Sequence, residues 1–128
     1  MAACSLLDDS TGLGEYEGVR VTASLEGDSV VRTIRNGSAV PITRHFPHCD
    51  AELYNREGDS SWELPEGAAC LDVSTAPVEI APGEERVSSW WGLNQLEPGD
   101  HRFELKLRGP DGELLPQAAR SSNWFRVE

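Results

Sequence analysis

The sequence predicts an all-β fold, an antiparallel β-sandwich of about eight short strands. Three observations carry this prediction. Several short runs alternate between apolar and polar residues, the period that places successive side chains on opposite faces of a sheet. Turn signals built from glycine, proline and asparagine separate these runs at intervals of about 8–12 residues, a spacing typical of sandwiches. At most one helical turn is expected, near residues 93–96 or 115–119.

The first two strands are the most regular. In the run VRVTASLE, apolar residues occupy every second position: Val19, Val21, Ala23 and Leu25. A Gly-Asp turn separates this run from SVVRTIRN, which places Val31, Thr33 and Arg35 on one face and Val30, Arg32 and Ile34 on the other. The two runs therefore predict a pair of strands, each with one face directed at the core.

The third strand is expected to follow directly, because Asn36-Gly37 is a strong hairpin signal. This strand, AVPITRHF, contains Pro41. Proline has no backbone N–H to donate to a sheet, so Pro41 predicts that the strand lies at an edge or forms a bulge.

The later strands are shorter. A polar turn interrupts DAELYNREGDSSWEL, and a Pro-Gly turn divides APVEIAPGEERVSSWW into two runs. The run FELKL alternates strictly, with Phe103, Leu105 and Leu107 on one face, and SNWFRVE reads as a closing strand. These runs complete a sandwich with no internal repeat and no second domain.

Several of these stretches together resemble those of bacterial Ig-like domains of the intracellular proteinase inhibitor type and of related small lipoproteins. The shared stretches span roughly residues 19–107 and are TIRNGSAVPI, LYNREGDSSWE, PGEERVSSWW and PGDHRFELKL. Gly58 and Trp62 match the hairpin of that pattern. The resemblance implies an Ig-like β-sandwich and, as an alternative function, inhibition of a protease.

One position departs from that pattern. The family's last Pro-Gly turn leads into a tyrosine, whose hydroxyl would bond to nearby backbone, and His101 stands there instead. His101 is therefore expected either to donate an N–H in place of the hydroxyl or to face solvent.

The start of the chain, Ala2-Ala3-Cys4-Ser5, resembles the end of a bacterial lipobox, in which the cysteine becomes diacylated. The resemblance predicts lipidation at Cys4, with residues 1–15 as a flexible tether and residues 16–128 as the domain. The protein would then be exported and anchored to the bacterial cell envelope. The alternative is a cytoplasmic protein with three reduced thiols.

The other two cysteines predict a disulfide. Cys49 and Cys70 enclose 20 residues, and closing a loop of that size stabilises a fold by roughly 3 kcal/mol. The pairing leaves Cys4 as the odd cysteine, which agrees with its proposed lipidation.

The charge of the chain limits its partners. It has 128 residues and a net charge of −11, which repels phosphate backbones and argues against a nucleic-acid partner. No apolar run approaches the roughly 20 residues of a transmembrane helix. Contact with a membrane is expected only through the lipid anchor.

The stretch HFPHCD is the strongest metal-binding candidate in the sequence. His45, His48, Cys49 and Asp50 are all competent ligands for zinc or copper, and His101 is a further one. The competing interpretation is a polar loop around a disulfide, since an oxidised Cys49 offers no thiolate. We favour that interpretation and predict no metal and no cofactor.

Trp90-Trp91 is the main binding candidate. Consecutive strand residues point to opposite faces, so one ring is expected in the core and the other outside it. An outward Trp could contact a sugar or a protein, or be covered by the loop that follows. Because Ser88 and Ser89 lie in no nucleophile-elbow context, we predict no enzyme.

The predicted function is therefore a non-catalytic binding domain of a bacterial lipoprotein, whose partner is a protein or a glycan at the cell envelope. The first alternative is a proteinase inhibitor that presents residues 65–69 or 93–98 to a protease. The second is a metal-binding periplasmic domain that uses His45, His48 and His101.

Overall fold

The computed structural model describes residues 14–44, 51–57, 61–64 and 77–128. Within them the chain forms nine strands: β1 (Val19–Glu26), β2 (Ser29–Asn36), β3 (Ile42–Arg44), β4 (Ala51–Arg56), β5 (Val78–Ile80), β6 (Glu85–Trp90), β7 (Gly99–Leu105), β8 (Leu107–Arg108) and β9 (Phe125–Val127). Three short helical segments accompany them: 3₁₀ turns at Gly14–Tyr16 and Leu93–Gln95, and one α-helical turn, α1 (Gln117–Arg120). Among the residues described, none of these helices has the length and apolar character needed to cross a bilayer.

The strands form three antiparallel sheets of three strands each, in the orders β1-β2-β6, β5-β3-β8 and β4-β7-β9. The all-β prediction is confirmed, and the arrangement is that of a sandwich. The strand count over the described residues is nine rather than eight, because the last alternating run contributes two strands instead of one.

The alternating runs fill one apolar core to which all three sheets contribute. In β1 the predicted face is buried at Val19, Val21 and Ala23, whereas Leu25 near the strand end is exposed. In β2 the face formed by Val30, Arg32 and Ile34 is the buried one. The side chain of Arg32 lies inside the sandwich with its guanidinium 4.9 Å from the centre of the Phe103 ring.

The alternation in FELKL crosses from one sheet to another. Phe103, Leu105 and Leu107 are all fully buried, as predicted. However, the strand is interrupted at Lys106: β7 pairs with β4 and β9, and β8 pairs with β3. One continuous apolar face thus ties two sheets to the same core.

The hairpin predicted at Asn36-Gly37 is wrong. β2 pairs with β1 and β6, whereas β3 pairs with β5 and β8. Asn36 is fully buried, and its Nδ2 donates to the carbonyls of Val40 and Ile80, both at 2.8 Å, while its Oδ1 accepts from Ser38 Oγ at 2.6 Å. The side chain therefore stabilises a crossover between sheets, which replaces the hairpin.

The edge position predicted from Pro41 is also wrong, since β3 is the central strand of its sheet. Pro41 precedes the first residue of β3, Ile42, so its missing N–H costs the sheet no hydrogen bond.

Helical turns form at both of the places between which the sequence left the choice open, at Leu93–Gln95 and at α1. The turn at Gly14–Tyr16 was not predicted. It buries Tyr16, whose hydroxyl donates to Glu113 Oε2 at 2.9 Å. A side chain at Gly109 would collide with that hydroxyl. Burial and the Glu113 carboxylate together raise the pKa of Tyr16 to about 12.

Candidate functional site

The two consecutive tryptophans divide as predicted. The Trp90 ring packs edge-on against Phe103, with 5.4 Å between ring centres, and is only partly accessible. Gly92 lies against the same ring, so that a β-carbon there would collide with it. Trp91, directly after β6, is 70 % exposed, and Val87 within β6 is 64 % exposed. Of the two, Trp91 alone can serve as a surface anchor.

A larger aromatic surface lies on the outer face of the β4-β7-β9 sheet. Tyr54 stands opposite Arg102, and both Arg56 and Arg126 stand opposite Asp100. Even-numbered side chains point outward here because the odd-numbered Phe103 and Phe125 enter the core. We call this surface the arginine–aromatic face, which consists of Tyr54, Arg56, Trp62, Arg102, Trp124 and Arg126.

The guanidiniums and rings of the arginine–aromatic face are interleaved. Arg56 lies 4.4 Å from the centre of the Trp62 ring and 5.5 Å from that of Trp124. Arg102 lies 5.0 Å from Trp62, and Arg126 lies 5.9 Å from Trp124. Each such contact at an exposed site stabilises by about 0.5–1 kcal/mol. The contacts also fix the planes of the guanidiniums.

The carboxylate of Asp100 holds two of these arginines. It is 3 % exposed, and its Oδ1 accepts from Arg126 Nε at 2.9 Å while its Oδ2 accepts from Arg56 Nε at 3.4 Å. The hydrogen bond from Arg126 is the main reason that the pKa of Asp100 lies below its usual value, and Arg56 adds to the effect.

A second buried carboxylate, Glu104, repeats the arrangement two rows further along β7. Its Oε2 accepts from Arg102 Nη2 at 3.3 Å and from Gln117 Nε2 at 2.6 Å, and its Oε1 accepts from Arg120 Nη1 at 3.4 Å. Two carboxylates thus hold four arginines. This concentration of cations is notable in a chain whose net charge is −11.

A cleft of about 700 Å³ adjoins the arginine–aromatic face at Arg56. Its lining consists of Asn55, Arg56, Glu57, Glu63, Glu97, Pro98, Gly99 and His101. Small-molecule sites in proteins have volumes of about 300–1,000 Å³. The cleft therefore has the size of a ligand site, and it is bordered by the carboxylates of Glu57, Glu63 and Glu97 and by the guanidinium of Arg56.

His101 lines this cleft and follows the turn at Pro98-Gly99. It is 3 % exposed, and its ring stacks on Phe125 with 5.9 Å between centres. Its Nε2 lies 2.8 Å from the carbonyl oxygen of Glu97, and because a carbonyl only accepts, Nε2 carries the proton. Of the two expectations for this position, an N–H donor in place of a tyrosine hydroxyl is the one found.

Of the three histidines considered for metal binding, only His101 lies among the described residues. The described residues contain no group of three His, Cys, Asp or Glu side chains that could hold a metal. His45 and His48 lie outside them, as do Cys4, Cys49 and Cys70. The disulfide and the lipidation therefore stay predictions, and metal binding stays an alternative that the described residues do not test.

Of the two segments considered for protease inhibition, only residues 93–98 lie among the described residues. Residues 65–69 lie outside the described residues. In the segment 93–98, Leu93–Gln95 form a 3₁₀ turn, and Leu93 and Leu96 pack against the core. This segment therefore presents a helical turn with its leucines directed inward.

The sequence contains a signal for the arginine–aromatic face that was missed. Tyr54 and Arg56 are two residues apart, as are Trp124 and Arg126, so each pair shares one face of a strand. Such an aromatic–arginine pair on the polar face of a predicted strand indicates a surface worth testing.

Comparison with known proteins adds no further guidance: no family model matches the chain, and none of the curated proteins matches it.

Proposed function

We propose that the chain is a non-catalytic binding domain of the bacterial cell envelope, with a protein or a glycan as its partner, and that the arginine–aromatic face is its recognition surface. The interleaving of rings and guanidiniums on one sheet face, with Trp124 and Arg126 the most exposed of them, carries this proposal. Tyrosine, tryptophan and arginine are the residues that dominate the binding energy of interfaces. Here they occur together, outside the core, on a rigid sheet.

The way in which the face is held supports a binding role. Asp100 and Glu104 are buried, and each is bonded to two arginines. Side chains that are already ordered lose less conformational entropy when a partner binds, so more of the contact energy appears as affinity. Trp91, exposed but outside this network, is a secondary contact in the proposal.

The envelope address in this proposal depends on Cys4. The Ala2-Ala3-Cys4 motif and the odd number of cysteines support it. The intact mass of protein produced from its native gene context tests it. A diacylglyceryl-sized addition on Cys4 is the expected result. Three free thiols on an unmodified chain would contradict the address and favour the cytoplasmic alternative.

Co-sedimentation with washed fragments of bacterial cell envelope tests the recognition surface. We expect the wild-type chain to bind and Arg126→Gln to bind several-fold more weakly. Arg35→Gln is the matched control, because both arginine side chains are 57 % exposed and both pair with a carboxylate. Equal binding by the two variants, or no binding by the wild type, would contradict the proposal.

A further inference from the structure

We propose that the arginine–aromatic face and the adjoining cleft bind an acidic oligosaccharide, with the carboxylate of a uronic acid residue held between Arg56 and Arg126. This inference rests on the proposed function and names the class of ligand. Three features of the described residues lead to it: the direction of the two guanidiniums, the composition of the cleft, and the charge of the chain.

The two guanidiniums are oriented to bind a carboxylate. Arg56 and Arg126 both use Nε to donate to Asp100, and no other hydrogen bond of either guanidinium occurs within the described part of the chain. The paired terminal Nη groups of each arginine therefore remain available. A planar pair of N–H donors is the arrangement that binds a carboxylate with two parallel hydrogen bonds.

The tryptophans keep these donors in place. The Trp124 ring lies within 6 Å of both guanidiniums, and Trp62, next to the isolated bridge between Asn55 and Glu63, contacts Arg56. A guanidinium stacked on a ring has its face covered and its N–H edge free. The rings thus orient the arginines, and the arginine edges contact the ligand.

The cleft favours a sugar over a more acidic ligand. Glu63, Glu97 and Asn55 supply oxygens around a space of about 700 Å³. Sugar hydroxyls can donate to these oxygens. The side chains of an acidic peptide would instead be repelled by the three glutamate carboxylates that line the cleft. A ligand with one carboxylate and several hydroxyls satisfies both parts of the site.

The net charge of the chain also favours a short acidic oligosaccharide over a polyanion. At −11 the molecule repels polyanions at long range. Salt screens this repulsion over about 10 Å at 0.1 M ionic strength. A short oligosaccharide with isolated carboxylates can therefore approach the face, whereas a nucleic acid or a strongly acidic protein is disfavoured.

Isothermal titration of the full chain with a trisaccharide that carries a single galacturonic acid residue tests the inference. Two probes of similar length serve as comparisons: the neutral trimer of galactose, which lacks the carboxylate, and triglutamate, which lacks the hydroxyls. We expect the acidic sugar to bind most tightly and its affinity to fall with rising salt. We expect Arg126→Gln to weaken it about tenfold, the effect of losing one charge-assisted hydrogen bond, and the matched Arg35→Gln to leave it unchanged.

A lysine variant separates charge from geometry. Arg126→Lys keeps the cation but loses the paired donors, so we expect it to weaken binding of the acidic trimer as well. Full affinity in Arg126→Lys, equal affinity for the neutral trimer, or tighter binding of triglutamate would overturn the inference. If the acidic trimer does not bind while envelope fragments still bind in a manner sensitive to Arg126→Gln, the ligand class is wrong and the proposed function stands. If neither binds, both fail.

Discussion

At the scale of single residues, Asp100 is the organising group of the arginine–aromatic face. Its oxygens are bonded to Arg126 and Arg56, so a change there alters both donors of the proposed site without removing either arginine. A carboxylate whose pKa is lowered in the folded state contributes stability above its unfolded pKa and loses that contribution as pH falls. Asp100 is such a group, since its arginine partners lower its pKa from 3.8.

We therefore expect Asp100→Asn to be less stable than the wild type at pH 7 and the difference to shrink below pH 3.8, where the unfolded-state carboxyl becomes protonated. Urea unfolding midpoints of the two proteins at pH 7 and at pH 3 measure this. The same difference at both pH values would show that the ionised carboxylate is not what holds the face together.

His101 is the residue at which the chain departs from the pattern it resembles. Its Nε2–H donates to the carbonyl of Glu97, and its ring stacks on Phe125. His101→Phe keeps a ring for the stack but removes the donor. We expect it to lower the free energy of unfolding by about 1 kcal/mol, the net value of one hydrogen bond. An unchanged urea midpoint would mean that the corner is held by packing alone.

At the scale of elements, alternation predicts which residues face the core better than it predicts which strands pair. Val19, Val21 and Ala23 are buried as expected. The partner of β3 was mispredicted because Asn36-Gly37 is a local signal, whereas the buried amide of Asn36 bonds to Ile80, 44 residues away. A long-range hydrogen bond of this kind leaves no periodic trace in the sequence.

A second asparagine connects elements in a similar way. Asn123 Oδ1 accepts from the backbone N–H of Ala23, and its Nδ2 donates to the Ala23 carbonyl, both at 2.8 Å. The amide thus mimics a neighbouring strand at the outer edge of β1 and attaches the segment before β9 to that edge.

Asn123→Ala removes both hydrogen bonds to β1. We expect a loss of about 1–3 kcal/mol in the free energy of unfolding, the value of two ordinary hydrogen bonds. We also expect faster hydrogen exchange at the Ala23 amide, which loses its acceptor. Asn94→Ala, at an exposed position in the 3₁₀ turn, is the control. Unchanged protection of the Ala23 amide in Asn123→Ala would contradict the role given to this side chain.

At the scale of the whole molecule, the fold could be predicted from the sequence and the candidate site only in part. The division of Trp90 and Trp91 between core and surface follows from the period of a strand. The arginine–aromatic face does not follow from any one stretch, because Trp62, Arg102 and Trp124 come together only when β4, β7 and β9 pair. The local sequence pattern does not determine which residues of distant strands lie opposite each other.

The central claim is that the arginine–aromatic face recognises the ligand. The chain has four tryptophans, so the indole region of its ¹H–¹⁵N spectrum reports separately on the face (Trp62 and Trp124), the core (Trp90) and the other exposed ring (Trp91). The measurement is a titration with soluble glycan fragments from bacterial cell envelope. We expect the signals of Trp62 and Trp124 to shift with the same binding curve while that of Trp91 stays in place. A shift of Trp91 alone, or of none of the four, would contradict the claim.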